Sequence, residues 1–261
     1  MSTTAYLGII RAAMKAAAAD WPKPIATAID NQTKLAGLVG KLPTGSNDDV
    51  MAAVTTALLD GRDPLVDPDV VRLLHARTLT GDRAYGVQRA ADERIVTEIG
   101  KYVDELVDTL KAAVDATGEV LADGFALLGD TDLADTSTVN KMGATTLTAW
   151  AHAKEARQAI RMMDKGVFAI AVMTHAMSSS DSPTLRIADV TLEQYERLGF
   201  RADPWDIVRA GATINMATRT TIRERTQRIN DEREQRTQRA EAVPGDAYQR
   251  THGIARSSVV L

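Results

Sequence analysis

The chain of 261 residues contains no cysteine. That excludes disulfides, thiolate metal sites and a cysteine nucleophile. Aromatic residues make up only 4% of it, so any core must be filled by aliphatic and small side chains. The longest apolar run, Val167 to Met173, falls far short of the roughly 20 residues a spanning helix needs. The opening stretch has no basic segment ahead of its apolar residues, and Arg11 and Lys15 interrupt them. No signal peptide, no transmembrane span and no membrane partner are therefore expected.

Catalytic signatures are missing as well. There is no Walker-type phosphate loop, no Rossmann glycine fingerprint, no GxSxG elbow and no HExxH pair. The histidines are His75, His152, His175 and His252, and only His152, with Glu155 three residues on, has an acid at helical spacing. Asp104, Glu105 and Asp108 read as the wet face of a helix rather than a catalytic pair. Met162, Met163, Met173 and Met177 read as adaptable packing, and Trp21, Trp150 and Trp205 as packing anchors. The expectation is a non-enzyme with no catalytic residues, no cofactor and no metal.

Alanine is abundant, at 41 residues, and favours helices that approach closely through small side chains. The predicted fold class is all-α: a short-helix N-terminal region, a long antiparallel helical hairpin, a long basic C-terminal helix and an extended tail. Residues 1–81 form the short-helix region. Leu7, Ile10, Met14 and Ala17 share one helical face, and that helix ends at Trp21-Pro22. A second carries Ile25, Ile29, Leu35 and Leu38. Ser46 to Asp49 caps a third, with Val50, Val54 and Leu58 as its stripe and Gly61 as its stop. Asp67-Pro68 opens a fourth.

Residues 82–177 form the hairpin. Ile99, Val103, Leu106 and Leu110 begin a heptad-like seam that continues to about Leu128. A polar turn from Gly129 to Ser137 leads to a second stripe through Trp150, Ile160, Met163 and Val167. Arms of roughly 60 Å are long for a single core, so the seam is expected to be completed by a second copy, as in a coiled coil. Residues 178–203 are a linker with a short helix, in which 184–190 alternates like a short strand or extended segment. Residues 204–242 read as one basic helix and 243–261 as a tail.

The stretch Arg219 to Arg239 holds seven arginines against four acids. At about 100° per residue they ring the helix, while Ile222 and Ile229 share one face. Residues 1–200 carry a net charge of −7 and residues 201–261 a net +3. A partner-docking surface is expected at Ile222, Ile229, Arg225, Arg228 and Arg236, with the tail residues Val259, Val260 and Leu261 docking in a groove or adding a strand. In this reading Arg225 makes only an exposed ion pair.

The function implied is a structural or assembly protein that acts through helix–helix association, with itself and other proteins as partners. The texture resembles small helical virion-morphogenesis proteins of phages infecting high-GC bacteria, such as scaffolds and head-to-tail connectors. The missing signal peptide and span predict a cytoplasmic protein, and the resemblance implies a virion component. The alternative is a nucleic-acid-binding accessory protein that uses the Arg-rich helix.

Overall fold

Small residues set how closely the central helices approach. The computed structural model describes residues 3–39, 46–79, 82–139, 141, 143–175 and 181–242. Helix α1 spans Thr3–Ala16, α2 Lys23–Val39, α3 Asn47–Leu59 and α4 Pro68–Leu79. Helices α5, Asp82–Lys101, and α6, Val103–Leu128, lead through the short α7, Thr136–Val139, to α8, Ala144–Thr174. A Cβ on Gly124 of α6 would lie 2.9 Å from the Cβ of Ala153 of α8. Gly166 of α8 approaches Leu110 of α6. Low numbers on one helix thus meet high numbers on the other, and the two run antiparallel.

The fold is all-α, as the sequence predicts, with one two-residue ladder among the described residues. The third layer of the central core comes from within the chain. Helix α1 packs along α8, and a Cβ on Gly166 would fall well inside contact distance of the Ala13 Cβ. Leu7, Ile10, Ala13 and Met14 of α1 are buried there with Leu106, Leu110, Ile160, Met163 and Val167.

The long first arm is two helices, not one. The chain leaves the α-helical path at Tyr102, whose amide donates to the Ile99 carbonyl at 3.0 Å, and restarts at Val103. The bend lets α5 pack on α2 while α6 packs on α8. Asp92 of α5 fixes that junction. Its carboxylate accepts from the Thr4 hydroxyl at 2.9 Å, from the Gln88 amide at 3.0 Å and from the Gln32 amide. Three neutral donors from three helices satisfy a buried acid.

The C-terminal region also departs from expectation. The segment read as a strand or linker begins as a buried helical turn, α9, Pro183–Ile187, and only then extends as β1, Ala188–Asp189. Pro183 at the first helical position favours that turn. Helix α10 spans Leu192–Leu198, with a Thr191/Gln194 capping box. The basic helix is likewise interrupted. Helix α11, Pro204–Arg209, stops before Gly211, which has φ +73, and the chain extends through β2, Thr213–Ile214, antiparallel to β1. Helix α12, Arg219–Ala242, restarts behind a reciprocal cap: the Thr221 amide donates to the Thr218 hydroxyl oxygen and the Thr218 amide to that of Thr221.

Trp150 and Trp205 act as anchors. Their indole N–H groups donate to the carbonyls of Leu133, at 3.0 Å, and Thr131, at 3.2 Å. The turn between α6 and α8 is held from both sides. No helix among the described residues is long and apolar enough to cross a membrane.

Candidate interaction surfaces

The seam residues do not face outward. Ile99, Leu106 and Leu110 are buried in the chain's own core, and Val103 is half-buried against it. The expected intermolecular seam is therefore corrected: these residues pack within the chain, and α1, packed along α8, completes the core in place of a second copy.

The isoleucine face of α12 is also used internally. Ile222 and Ile229 are 1% and 2% exposed and belong to the same core. They dock α12 on the body of its own chain. Arg225 lies between them and is 6% exposed. Its Nη1 donates to the carbonyls of Leu185 at 3.0 Å and Asn215 at 2.9 Å, and its Nη2 donates to Asn215 Oδ1 at 3.0 Å. Burial pushes its pKa down, while Asp189 and Asp115 oppose that shift at longer range. The reading of Arg225 as an exposed ion pair is thus overturned.

Arg228 donates to the Val190 carbonyl at 2.9 Å and pairs with Asp189. Arg236 pairs with Glu196 of α10 at 2.7 Å. Three of the seven arginines are thereby engaged within the chain, while Arg219, Arg223, Arg233 and Arg239 are exposed. Val259, Val260 and Leu261 lie outside the described residues. His75, His152 and His175 are exposed and far apart in sequence, on α4, on α8 and at its C-cap.

Among the described residues, most of the exposed large apolar side chains lie on the α3–α4 hairpin. Val50 and Ala57, seven residues apart, are the buried residues of α3. Met51 and Leu58 repeat the same spacing about 100° around the helix, and both are exposed. Leu59, Leu65 and Val66 are 82%, 85% and 74% exposed. A helix apolar on two faces needs two partners, and among the described residues its main partner is α4.

The turn that carries these side chains is well ordered by local bonds. Arg62 N–H donates to the Ala57 carbonyl at 2.8 Å and Gly61 N–H, with φ +68, to that of Leu58 at 3.1 Å. That is a Schellman stop. The Arg62 guanidinium pairs with Asp60 at 2.8 Å and with the buried Asp67. Asp63 accepts from the Leu65 amide at 2.9 Å through its side chain and from the Asp67 amide at 3.0 Å through its carbonyl. Asp67 in turn caps α4, accepting from the amides of Asp69 and Val70. Leu65 and Val66 therefore point outward from a fixed turn.

A second concave feature lies between α8, α9 and the loop from α10 to α11, with a volume of about 570 Å³. Arg186 at its floor pairs through Nε and Nη2 with both oxygens of Asp164, at 2.5 and 3.1 Å, and lies over the Phe168 ring. Neither Asp164 nor Arg186 stands out in the sequence. Their spacing of 22 positions across a turn gives no local signal.

No family model, curated protein or solved structure matches this chain.

Proposed function

We propose that the chain is an assembly component that associates with further copies of itself, and that the α3–α4 hairpin is the association element. The observation that carries this reading is the display of Leu59, Leu65 and Val66 on an ordered turn. Large apolar side chains held rigidly in solvent are unfavourable unless something covers them. Because the turn is already ordered, little conformational entropy is lost on binding. The charge pattern favours a second copy as the cover. Residues 46–79 carry six acids against three arginines, whereas residues 201–261 are net positive. One copy's hairpin thus complements another's C-terminal region.

A scaffold or head-to-tail connector in virion morphogenesis is one setting in which such a protein would work. Hydrogen exchange at two protein concentrations tests the proposal. Amides of residues 57–67 should gain protection at the higher concentration while those of α6 and α8 stay unchanged. Equal protection of 57–67 at both concentrations would contradict it.

The nucleic-acid reading retains one supporting observation, the exposure of Arg219, Arg223, Arg233 and Arg239 on α12 beside the arginines engaged within the chain. Binding to duplex DNA with a steep salt slope that shrinks in Arg223→Ala and Arg233→Ala would favour it.

A further inference from the structure

We propose that the cleft between α8, α9 and the loop preceding α11 binds a small phosphorylated ligand carrying a flat ring, of the nucleoside monophosphate class. The cleft's volume of about 570 Å³ lies within the range of small-molecule sites. Its electrostatics select for an anion. Of its three acids, Asp164 is neutralised by Arg186, and Asp203 by Arg157 at 2.7 Å with Arg161 at 3.8 Å. Asp181 is then opposed by Lys165 and Arg201, which line the same cleft and make no ion pair among the described residues. Counting Arg157 behind it, the cleft has five cations against three carboxylates, in a chain whose net charge is −4.

The apolar lining selects for a ring. Two of the chain's three phenylalanines, Phe168 and Phe200, line this cleft. Phe168 is held beneath the Arg186 guanidinium. Phe200 is 52% exposed, yet its backbone is fixed. Its carbonyl accepts from the Ser182 hydroxyl at 2.7 Å and from the Thr184 amide at 3.3 Å. On either side, the Thr184 hydroxyl donates to the Gly199 carbonyl and accepts from the Ala202 amide, both at 2.8 Å. An exposed ring and the Arg201 cation are thus mounted on an immobilised strip of backbone. Ring stacking together with a phosphate on Lys165 and Arg201 matches that pair of features.

Calorimetric titration of the full chain tests this, with AMP, GMP, CMP and UMP as probes beside inorganic phosphate and adenosine. At least one nucleotide should saturate with a Kd below about 1 mM. Phosphate or adenosine alone should bind at least about tenfold more weakly, because each supplies only one of the two contacts. Lys165→Ala with Arg201→Ala, and separately Phe200→Ser, should each weaken binding by about tenfold or more. All three residues are exposed, so unchanged melting curves confirm that the variants are folded. No saturation by any nucleotide, inorganic phosphate binding as tightly as the best nucleotide, or undiminished binding in the double variant would overturn the proposal.

Discussion

Arg225 grips Asn215 at two points, through its backbone carbonyl at 2.9 Å and its side-chain oxygen at 3.0 Å. With the Leu185 carbonyl as a third acceptor, the buried guanidinium from α12 joins the residue that follows β2 to α9. It faces carbonyl oxygens rather than a carboxylate, so it is satisfied by dipoles. The strand stays in register around it, with the Asn215 amide donating to the Ile187 carbonyl and the Ala217 amide to that of Arg186.

Arg225→Ala should therefore destabilise the chain by about 2–4 kcal/mol, since it leaves buried carbonyls unpaired and opens a cavity. Arg223→Ala, on an exposed position two residues away, should change stability by less than about 0.5 kcal/mol. Urea denaturation of the two variants compares them directly. Similar midpoints would contradict the buried role of Arg225.

Gly166→Ala should cost about 1–3 kcal/mol, because its new methyl group would collide with Ala13 where α1 crosses α8. Ala13→Gly removes the collision. The double variant Ala13→Gly/Gly166→Ala should be more stable than the sum of the two single effects predicts, a coupling visible in a double-mutant cycle. Strict additivity would mean that the two helices do not meet there.

Helix α3 should loosen in acid. The Ser46 hydroxyl and backbone amide hydrogen-bond the Asp49 carboxylate, lowering its pKa below the usual carboxylate value. A pKa lower in the folded state contributes stability above the unfolded value, and that contribution is lost as pH falls through the folded one. Amide protection at the start of α3 should thus decline below about pH 4. Asp49→Asn should remove that local pH dependence.

Much of the N-terminal half was legible because its signals are local. Ser46 with Asp49, and Asp67 with Pro68, mark helix starts within four residues of sequence, and the structure caps both helices there. Apolar spacing also placed Leu106 with Leu110, and Ile222 with Ile229, on common helix faces. It could not say what they face, because periodicity gives a helix face but no address. The seam proved to pack on α8, and α8 in turn is covered by α1, about 150 residues earlier in the chain, where Gly166 and Ala13 permit close approach. Arg225 was misread because an arginine among polar residues resembles a solvated face. Its angular position, within about 60° of both isoleucines on the same side of the helix, was the available signal. The break at Gly211 was missed because the helical pattern resumes beyond it, and the exposed face of α3 because Leu58 was assigned to the buried stripe.

Sedimentation equilibrium on the full chain and on Leu59→Ser/Leu65→Ser tests self-association through the α3–α4 hairpin most directly. Over about 1–100 μM the unaltered chain should shift from monomer to a larger species, while the double variant stays monomeric with an unchanged melting temperature. An unaltered chain that remains monomeric across that range, or a double variant that associates equally well, would contradict it.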